Sequence, residues 1–304
     1  MEKNEIYNSL KNKINDGEIL IDEPMKEHTY FKIGGLADIM ALPKSIEEVQ
    51  CIIKFCNDNN IDYYVIGNGT NLLVRDKGIR GVVIKIDKNL SEIKVKDNII
   101  TAQAGSLLSK ISKIALKNAL TGMEGISGVP GSLGGAITMN AGAYGTEIKE
   151  VITKVKCIDK LGEIHEYTNE EMNFGYRHSK VQEDNLLVLE AEMELKKGDY
   201  KEIKSRMDEL TEKRNTKQPI NMPSAGSTFK RPEGDYAGRL IDVSGLRGLT
   251  YGRAQVSDKH CGFVVNLGDA KCDEVLKLID IVKKTVRDKH GVELEPEVKI
   301  IGEG

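Results

Sequence analysis

The chain has 304 residues, of which 39% are hydrophobic and 30% charged, enough for two domains with a sizeable core in each. Its 44 basic and 47 acidic side chains are interspersed and leave a net charge of −3, which offers no electrostatic footprint for nucleic acid and sets that class aside. No apolar run reaches the length of a membrane-spanning helix, and the opening MEKNEIYNSLKNKINDGEIL lacks the uninterrupted apolar core of a signal peptide, so no membrane insertion and a cytoplasmic location are expected.

The five cysteines, Cys51, Cys56, Cys157, Cys261 and Cys272, are scattered and form no CxxC pair, which reads as free buried thiols in a reducing compartment. His28, His165, His178, His260 and His290 are equally dispersed and make no HExxH pattern. No protein-bound metal is expected.

After a short amphipathic opening, His28-Thr-Tyr-Phe-Lys-Ile-Gly-Gly35 ends an apolar run on two glycines, a turn against the core or against a ligand. A helix is expected from Ser45, which can cap while Glu48 reaches back, with Ile46, Val49, Ile53 and Cys56 on one face. It leads into a strand, Asp62 to Ile66, that stops at Gly67-Asn68-Gly69-Thr70-Asn71. A strand running into GxG, with Asp87 further on, invites a dinucleotide-fold reading. That reading fails: Leu72 occupies the third glycine position, and Gly78 and Gly81 break the segment where the long crossover helix belongs. A GxG without that helix can still cradle a diphosphate with its own amides.

Short strands (Gly81 to Ile86, Asn98 to Ala104) precede a helix from about Ser106 to Ala119, with Leu107, Ile111, Ile114 and Ala115 inward and Gly122 as its stop. The chain then enters GMEGISGVPGSLGGAITMNAGAYG, Gly122 to Gly145, which contains no Lys or Arg. Glycine at that density suits a backbone that comes very close to something, and the interleaved Ile126, Val129, Leu133, Ile137 and Met139 can anchor it to a core as no flexible linker is anchored. An anion held here would be held by main-chain N–H groups.

Three strands follow, Val151 to Ile158, Ile164 to Tyr167 and Leu186 to Leu195, with Phe174-Gly-Tyr-Arg177-His-Ser-Lys180 between the last two. Lys196-Lys197-Gly198-Asp199 is the expected domain boundary, and Asp199 with Glu202 caps a helix that carries Ile203, Met207 and Leu210 inward and ends near Asn215. Lys217 to Pro223 is expected to be extended. A second small-residue loop, Ser224-Ala-Gly-Ser227-Thr-Phe-Lys230-Arg231-Pro232, is flanked by cations. The last helix, about Asp273 to Lys289, buries Val275, Leu278, Val282 and Val286 and stops at Gly291, and a strand from Glu297 to Ile301 closes the chain. Two glycine loops suited to a phosphate-bearing cofactor, then a serine amid cations suited to an anionic substrate, together suggest an enzyme.

HTYFKIGG, VIGNGTNLLV, GISGVPGSLGGAITMNAGAYG, FGYRHS, PSAGSTFKRP, GLRGLTYGRAQVSDKHCGFVVN and LEPEVKIIG, in that order, resemble the bacterial UDP-N-acetylenolpyruvoylglucosamine reductases over nearly the whole chain. The short connection between Arg177 and Leu187 resembles their type II branch. The resemblance implies an α+β chain: a vanillyl-alcohol-oxidase-type FAD-binding domain of two α+β lobes over residues 1–197, with the lobe boundary near 88–92, followed by an α+β substrate-binding domain over 198–304 whose strand 292–304 returns to the active site. It implies a monomeric flavoprotein of peptidoglycan synthesis, and so of cell wall biogenesis, cell shape, cell division and the cell cycle, that reduces a UDP-sugar with NADPH. Another flavin-linked oxidase of the same fold family, acting on a hydroxy acid or sugar, is the alternative.

In that family hydride passes from NADPH through FAD to C3 of the enolpyruvyl ether, and C2 is then protonated while charge spreads into the carboxylate. By motif, Arg177, Ser227 and Glu297 match the catalytic positions. Arg177 offers a planar fork for the carboxylate, Ser227 a hydroxyl proton, and Glu297 an acid expected to have a raised pKa through burial. Whether Glu295 or Glu297 points inward is left open by alternation, and the motif favours Glu297. The implied cofactor contacts are Gly67, Asn68, Gly69, Thr70 and Asn71 in the first loop. In the second they are Gly125, Ser127, Gly128, Pro130, Gly131, Ser132, Gly134, Gly135, Asn140, Ala141 and Gly142. Lys217, Lys230 and Arg231 match substrate-binding positions, with Arg231 replacing an asparagine common in the family, and His260 is either substrate-facing or a packed structural histidine.

Overall fold

The computed structural model describes residues Met1–Gly304, which divide into two compact units. The first comprises Met1–Ile21, Ile39–Asn68 and Gly81–Arg214, and the second Asp22–Asp38, Gly69–Arg80 and Asn215–Gly304. The division at Arg214 differs from the expected boundary at Lys197/Gly198, and it is discontinuous. Its physical reason lies in the helix after Asp199, whose Ile203 packs on Gly198 beside Thr121 and whose Arg214 donates to Gly128 O at 2.7 Å. Those contacts keep that helix with the first unit.

In the first unit a five-stranded sheet takes Ile164–Thr168, Ile152–Ile158, Leu187–Glu194, Ile99–Gln103 and Ile93–Lys96 in that order, with antiparallel neighbours throughout. A four-stranded sheet takes Glu18–Pro24, Leu36–Leu42, Ile79–Lys85 and Tyr63–Ile66 in order. Its last pair is parallel. The helices are α1 (Lys3–Lys13), α2 (Ile46–Asp58), α3 (Leu108–Lys117), α4 (Leu133–Thr138), α5 (Lys180–Glu183) and α6 (Tyr200–Lys217). After Gly67 the next element is the strand Leu72–Val74, so no crossover helix follows the GxG.

The start of α2 is as the sequence suggests, since Ser45 Oγ accepts the Glu48 N–H. The Glu48 carboxylate reaches elsewhere: it accepts N–H bonds from Lys44 at 2.7 Å, Asp16 at 2.9 Å and Gly17 at 3.0 Å, and is only 8% exposed. Burial alone would push this carboxyl up, but the amides of Lys44, Gly17, Asp16 and Asn15 outweigh it and hold its pKa below the ordinary 4.5. Glu48→Ala would leave those amides without an acceptor, and an expected loss of about 3 kcal/mol follows from the desolvation of the orphaned donors. Because the folded-state pKa is the lower one, the Glu48 contribution is present above the unfolded value and vanishes as pH falls through the folded one. Urea titrations of wild type and Glu48→Ala at neutral and acid pH check both points, with the gap between the two proteins shrinking on acidification.

Three expectations are corrected around α3 and beyond it. Leu107 is an extended N-cap and 41% exposed and Ile114 is half-buried, whereas Ile111 and Ala115 are buried as expected, joined by Leu108 and Ser112. Ala119, at φ 52°, takes the left-handed stop assigned to Gly122. Residues Gln218–Pro223 turn, with Met222 N–H bonded to Pro219 O, where an extended segment is expected. In α6, Asp199 Oδ1 caps by accepting from Lys201 and Glu202, and Ile203 and Leu210 are buried.

The second unit contains α7 (Ala237–Val243), α8 (Cys272–His290), a three-stranded sheet of Thr250–Tyr251, Ala254–Val256 and Val264–Asn266, and a parallel pair of Lys299–Ile301 with Leu72–Val74. Its core joins Phe31, Leu73, Phe229, Leu240, Val264 and the α8 face Val275, Leu278, Val282 and Val286, as the periodicity of α8 predicts. Gly291 ends α8 at φ 69°. Gly35 serves packing, since a Cβ there would stand 2.2 Å from Asp76 O. All five cysteines are free and four are buried. Burial pushes the Cys56, Cys157 and Cys272 thiols up to about 12 and the Cys261 thiol to about 11. No helix is long and apolar enough to cross a membrane.

Candidate active site and cofactor cradle

The glycine-rich segment holds a helix that its composition concealed. Leu133–Thr138 form α4, with Leu133, Ala136 and Ile137 buried, while Ile126 anchors the preceding turn at 0% exposure. The chain before α4 runs against the start of α3: Leu108 N–H bonds Gly131 O at 3.1 Å, Leu133 N–H bonds Ser106 O at 2.8 Å, and Gly134 N–H bonds Ala104 O at 2.8 Å. Gly131 and Ser132 are buried, yet their amides, like the Ser132 hydroxyl, make no hydrogen bond within the protein.

The first glycine loop meets this one within the same unit. Asn68 Nδ2 donates to Pro130 O at 2.6 Å, and a Cβ on Gly67 would lie 2.5 Å from Ser132 Oγ, so a side chain there would displace that hydroxyl. The remainder of the loop belongs to the second unit. Gly69, at φ 66°, has its Cβ position 2.0 Å from His28 O, and its carbonyl accepts the Tyr30 N–H. Asn71 faces the C-terminal strand, bonding Glu297 O through Nδ2 at 3.2 Å and the Lys299 N–H through its carbonyl at 3.0 Å. Asn71 is thereby a positioning residue for Glu297.

Unbonded donors on a cradle that glycine keeps open, at Gly131 and Ser132, fit the diphosphate of a dinucleotide cofactor such as FAD. Gly135 and Gly128 are exposed and leave the cradle uncovered. Other predicted contacts serve the loop itself. Gly125 makes room for Thr146, Ser127 Oγ donates to Glu124 O, and Gly142 lies against Glu147. Ala141 N–H bonds Ala136 O. Asn140 is fully buried, with its amide donating to Gly175 O and Glu147 while its oxygen accepts from Lys149; its side chain is a structural tie.

Through Asn140 the loop is tied to the turn that carries Arg177. Gly175 and His178 exchange both main-chain hydrogen bonds, at 3.1 and 3.3 Å, which leaves Tyr176 and Arg177 at the tip. Arg177 sits at φ 56°, a strained conformation for a residue with a side chain and one that concentrates at functional sites. Its guanidinium stacks 5.0 Å from the Tyr176 ring centroid and reaches Gly142 O at 3.4 Å. No motif marks Arg214. Its side chain lies on Gly128, and burial lowers its pKa against the opposing Tyr144 charge and the hydrogen bond that Arg214 donates to Tyr144. The glycine segment has no cation of its own, and both arginines approach it from elsewhere in the chain; Arg214 was hidden among the polar residues of α6.

In the second unit Ser227 is exposed, follows Gly226 at φ 75°, and its hydroxyl makes no hydrogen bond within the protein. Its neighbour Thr228 is locked: N–H to Gly262 O, hydroxyl accepting from Val264 N–H, carbonyl accepting from Glu297 N–H at 2.8 Å. Ser227 and Glu297 therefore stand on adjoining segments, although 70 residues of sequence separate them. Glu297 is half-buried, whereas Glu295 is exposed and pairs with Lys230 at 3.0 Å. Lys217 ends α6 and is exposed. Arg231 stacks on Tyr236, 4.1 Å from the ring centroid. His260 is a packed histidine: Gly238 and Gly262 press on its ring, Phe263 meets it edge-on at 5.1 Å, and Nδ1 accepts the Gly262 N–H. Burial lowers its pKa, a backbone hydrogen bond opposing and the Arg247 charge assisting.

Comparison with known proteins bears on both units. Residues 37–168 match the family described as FAD binding domain, and residues 218–301 match the one described as UDP-N-acetylenolpyruvoylglucosamine reductase, C-terminal domain. The chain is 50% identical over 303 residues to the UDP-N-acetylenolpyruvoylglucosamine reductase of Clostridioides difficile, covering 100% of each. It is 52% identical to that of Clostridium tetani, covering 99% of this chain and 97% of the relative. The crystal structure of the enzyme from Thermus caldophilus superposes with a TM-score of 0.80 at 34% identity, over 93% of this chain and 98% of that one.

Proposed function

Because the chain belongs to the UDP-N-acetylenolpyruvoylglucosamine reductase family, with its α+β, vanillyl-alcohol-oxidase-type architecture, we propose that it reduces the enolpyruvyl ether of UDP-N-acetylglucosamine to UDP-N-acetylmuramate. The reaction is an NADPH-dependent, FAD-linked reduction of a C=C bond in peptidoglycan precursor synthesis, and the protein carries it out as a cytoplasmic monomer. The observation that supports the reading best is the main-chain bond between Glu297 and Thr228, which sets an acid beside the exposed Ser227.

Gly131, Ser132, Gly67 and Asn68 would hold the diphosphate of FAD. Bound there, the flavin supplies a two-electron carrier between NADPH and the enolpyruvyl double bond. The remaining chemistry belongs to side chains. Addition of hydride at C3 places negative charge at C2 and in the adjoining carboxylate. Arg177 presents a fork of donors that matches a carboxylate and stabilises it as it becomes an enolate. Ser227 delivers its hydroxyl proton to C2. Glu297 shares a proton with the enolate oxygen, its backbone fixed by Thr228 and Asn71. Lys217, Lys230 and Arg231 bind the substrate diphosphate, with Lys230 exchanging Glu295 for phosphate.

The reading is tested by titrating flavin-free protein with FAD and then adding NADPH and the enolpyruvyl substrate. Stoichiometric uptake of FAD and substrate-dependent NADPH oxidation are expected. A protein that binds no FAD is incompatible with it.

A further inference from the structure

The substrate carries a uracil ring, and no residue assigned so far recognises it. Tyr236 is 58% exposed although the Arg231 guanidinium lies over its ring, 4.1 Å from the centroid. A tyrosine with one face covered can remain that exposed only if the other face is open. The main chain that carries the ring is also fixed. Tyr236 is the N-cap of α7, its carbonyl accepts the Arg239 and Leu240 N–H groups, and its own N–H donates to Asp235 Oδ1. Asp235 is held in turn by two hydrogen bonds from Arg239. On the other side Gly234, at φ 72°, leaves open space where a side chain would stand.

We propose that Tyr236, backed by Arg231, is the stacking platform for the uracil base of the substrate. The proposal rests on the function given above. An aromatic ring on a fixed backbone loses little entropy when a planar base settles on it. A guanidinium polarises the ring and makes it a better partner for the base. Its N–H donors radiate in its own plane, so stacking on Tyr236 does not occupy them. The same segment, Ser227 to Arg231, then carries the proton donor at one end and the base-side anchor at the other. Arg231 thus has a second task beyond the phosphate contact expected from sequence.

The test is equilibrium binding to the FAD-loaded enzyme, with UDP and inorganic pyrophosphate as probes, for wild type and the variants Tyr236→Ala, Tyr236→Leu and Tyr236→Phe. Loss of a base-stacking ring weakens binding by about tenfold or more, so the Ala and Leu variants should lose that much UDP affinity while pyrophosphate affinity and the rate of flavin bleaching by NADPH stay unchanged. Tyr236→Phe should bind UDP as wild type does. Unaltered UDP affinity in the Ala and Leu variants overturns the platform, and so does an equal loss of pyrophosphate affinity. Slowed bleaching by NADPH overturns it too, because the ring would then serve the nicotinamide nucleotide. If the wild type binds no UDP, the underlying function falls together with the platform.

Discussion

Ser227→Ala should take up FAD normally and let NADPH bleach the flavin at the wild-type rate, yet its turnover of the enolpyruvyl substrate should fall by about 10²–10⁴-fold, the usual contribution of a positioned general acid. The separation of the two effects follows from where Ser227 sits. Its hydroxyl is exposed and has no partner inside the protein, while the neighbouring Thr228 carries the bonds to Gly262, Val264 and Glu297. Removing one oxygen leaves every one of those bonds in place, so thermal stability should not change. A matched slowing of NADPH oxidation by flavin and of substrate turnover would assign Ser227 to the fold instead of to proton delivery.

Glu297→Gln should have the next largest effect, about 10²-fold or more on turnover with substrate affinity nearly retained. The substitution is clean for a structural reason: Thr228 O and Asn71 Nδ2 hold the main chain of residue 297, not its carboxyl group. Glutamine preserves the shape of the side chain and removes only the exchangeable acid proton. Steady-state kinetics give the answer directly. A variant that keeps kcat and raises KM would place Glu297 in substrate binding, and Glu295→Gln, whose carboxylate is exposed and paired with Lys230, should lose little in either parameter.

Local chemistry was legible in the sequence wherever one residue decides the outcome. Ser45 caps α2, Asp199 caps α6 and Gly291 ends α8 because each acts on groups two to four residues away. The inward face of α8 was equally plain from its period. Legibility failed where two local signals conflict: Gly134 and Gly135 masked α4, whose stability comes from burying Leu133 and Ile137 rather than from helix propensity. It failed by a single position at α3, since Leu107 and Leu108 are both apolar and only the pairing of residue 107 with Ser132 chooses between them.

For the site, the sequence names the motif residues and is silent on their neighbours. Asn71 was read as a cofactor contact, but its partner is Glu297, 226 positions away, and no spacing rule reaches that far. Asn140, expected at the cofactor, spends its side chain on Gly175, Glu147 and Lys149, and His260, open in the sequence between substrate and packing, accepts the Gly262 N–H at Nδ1; only the packed chain provides these partners. Arg214 is illegible in the sequence because an arginine on the polar face of an amphipathic helix looks like any solvated cation.

In the proposed reaction reducing equivalents pass from NADPH to an enolpyruvyl double bond. The most direct test is an anaerobic stopped-flow experiment on the purified holoenzyme. NADPH should bleach the flavin, and the enolpyruvyl ether of UDP-N-acetylglucosamine should then restore its colour with formation of UDP-N-acetylmuramate. Colour restored by oxygen alone, with the enolpyruvyl substrate left unchanged, would contradict the account.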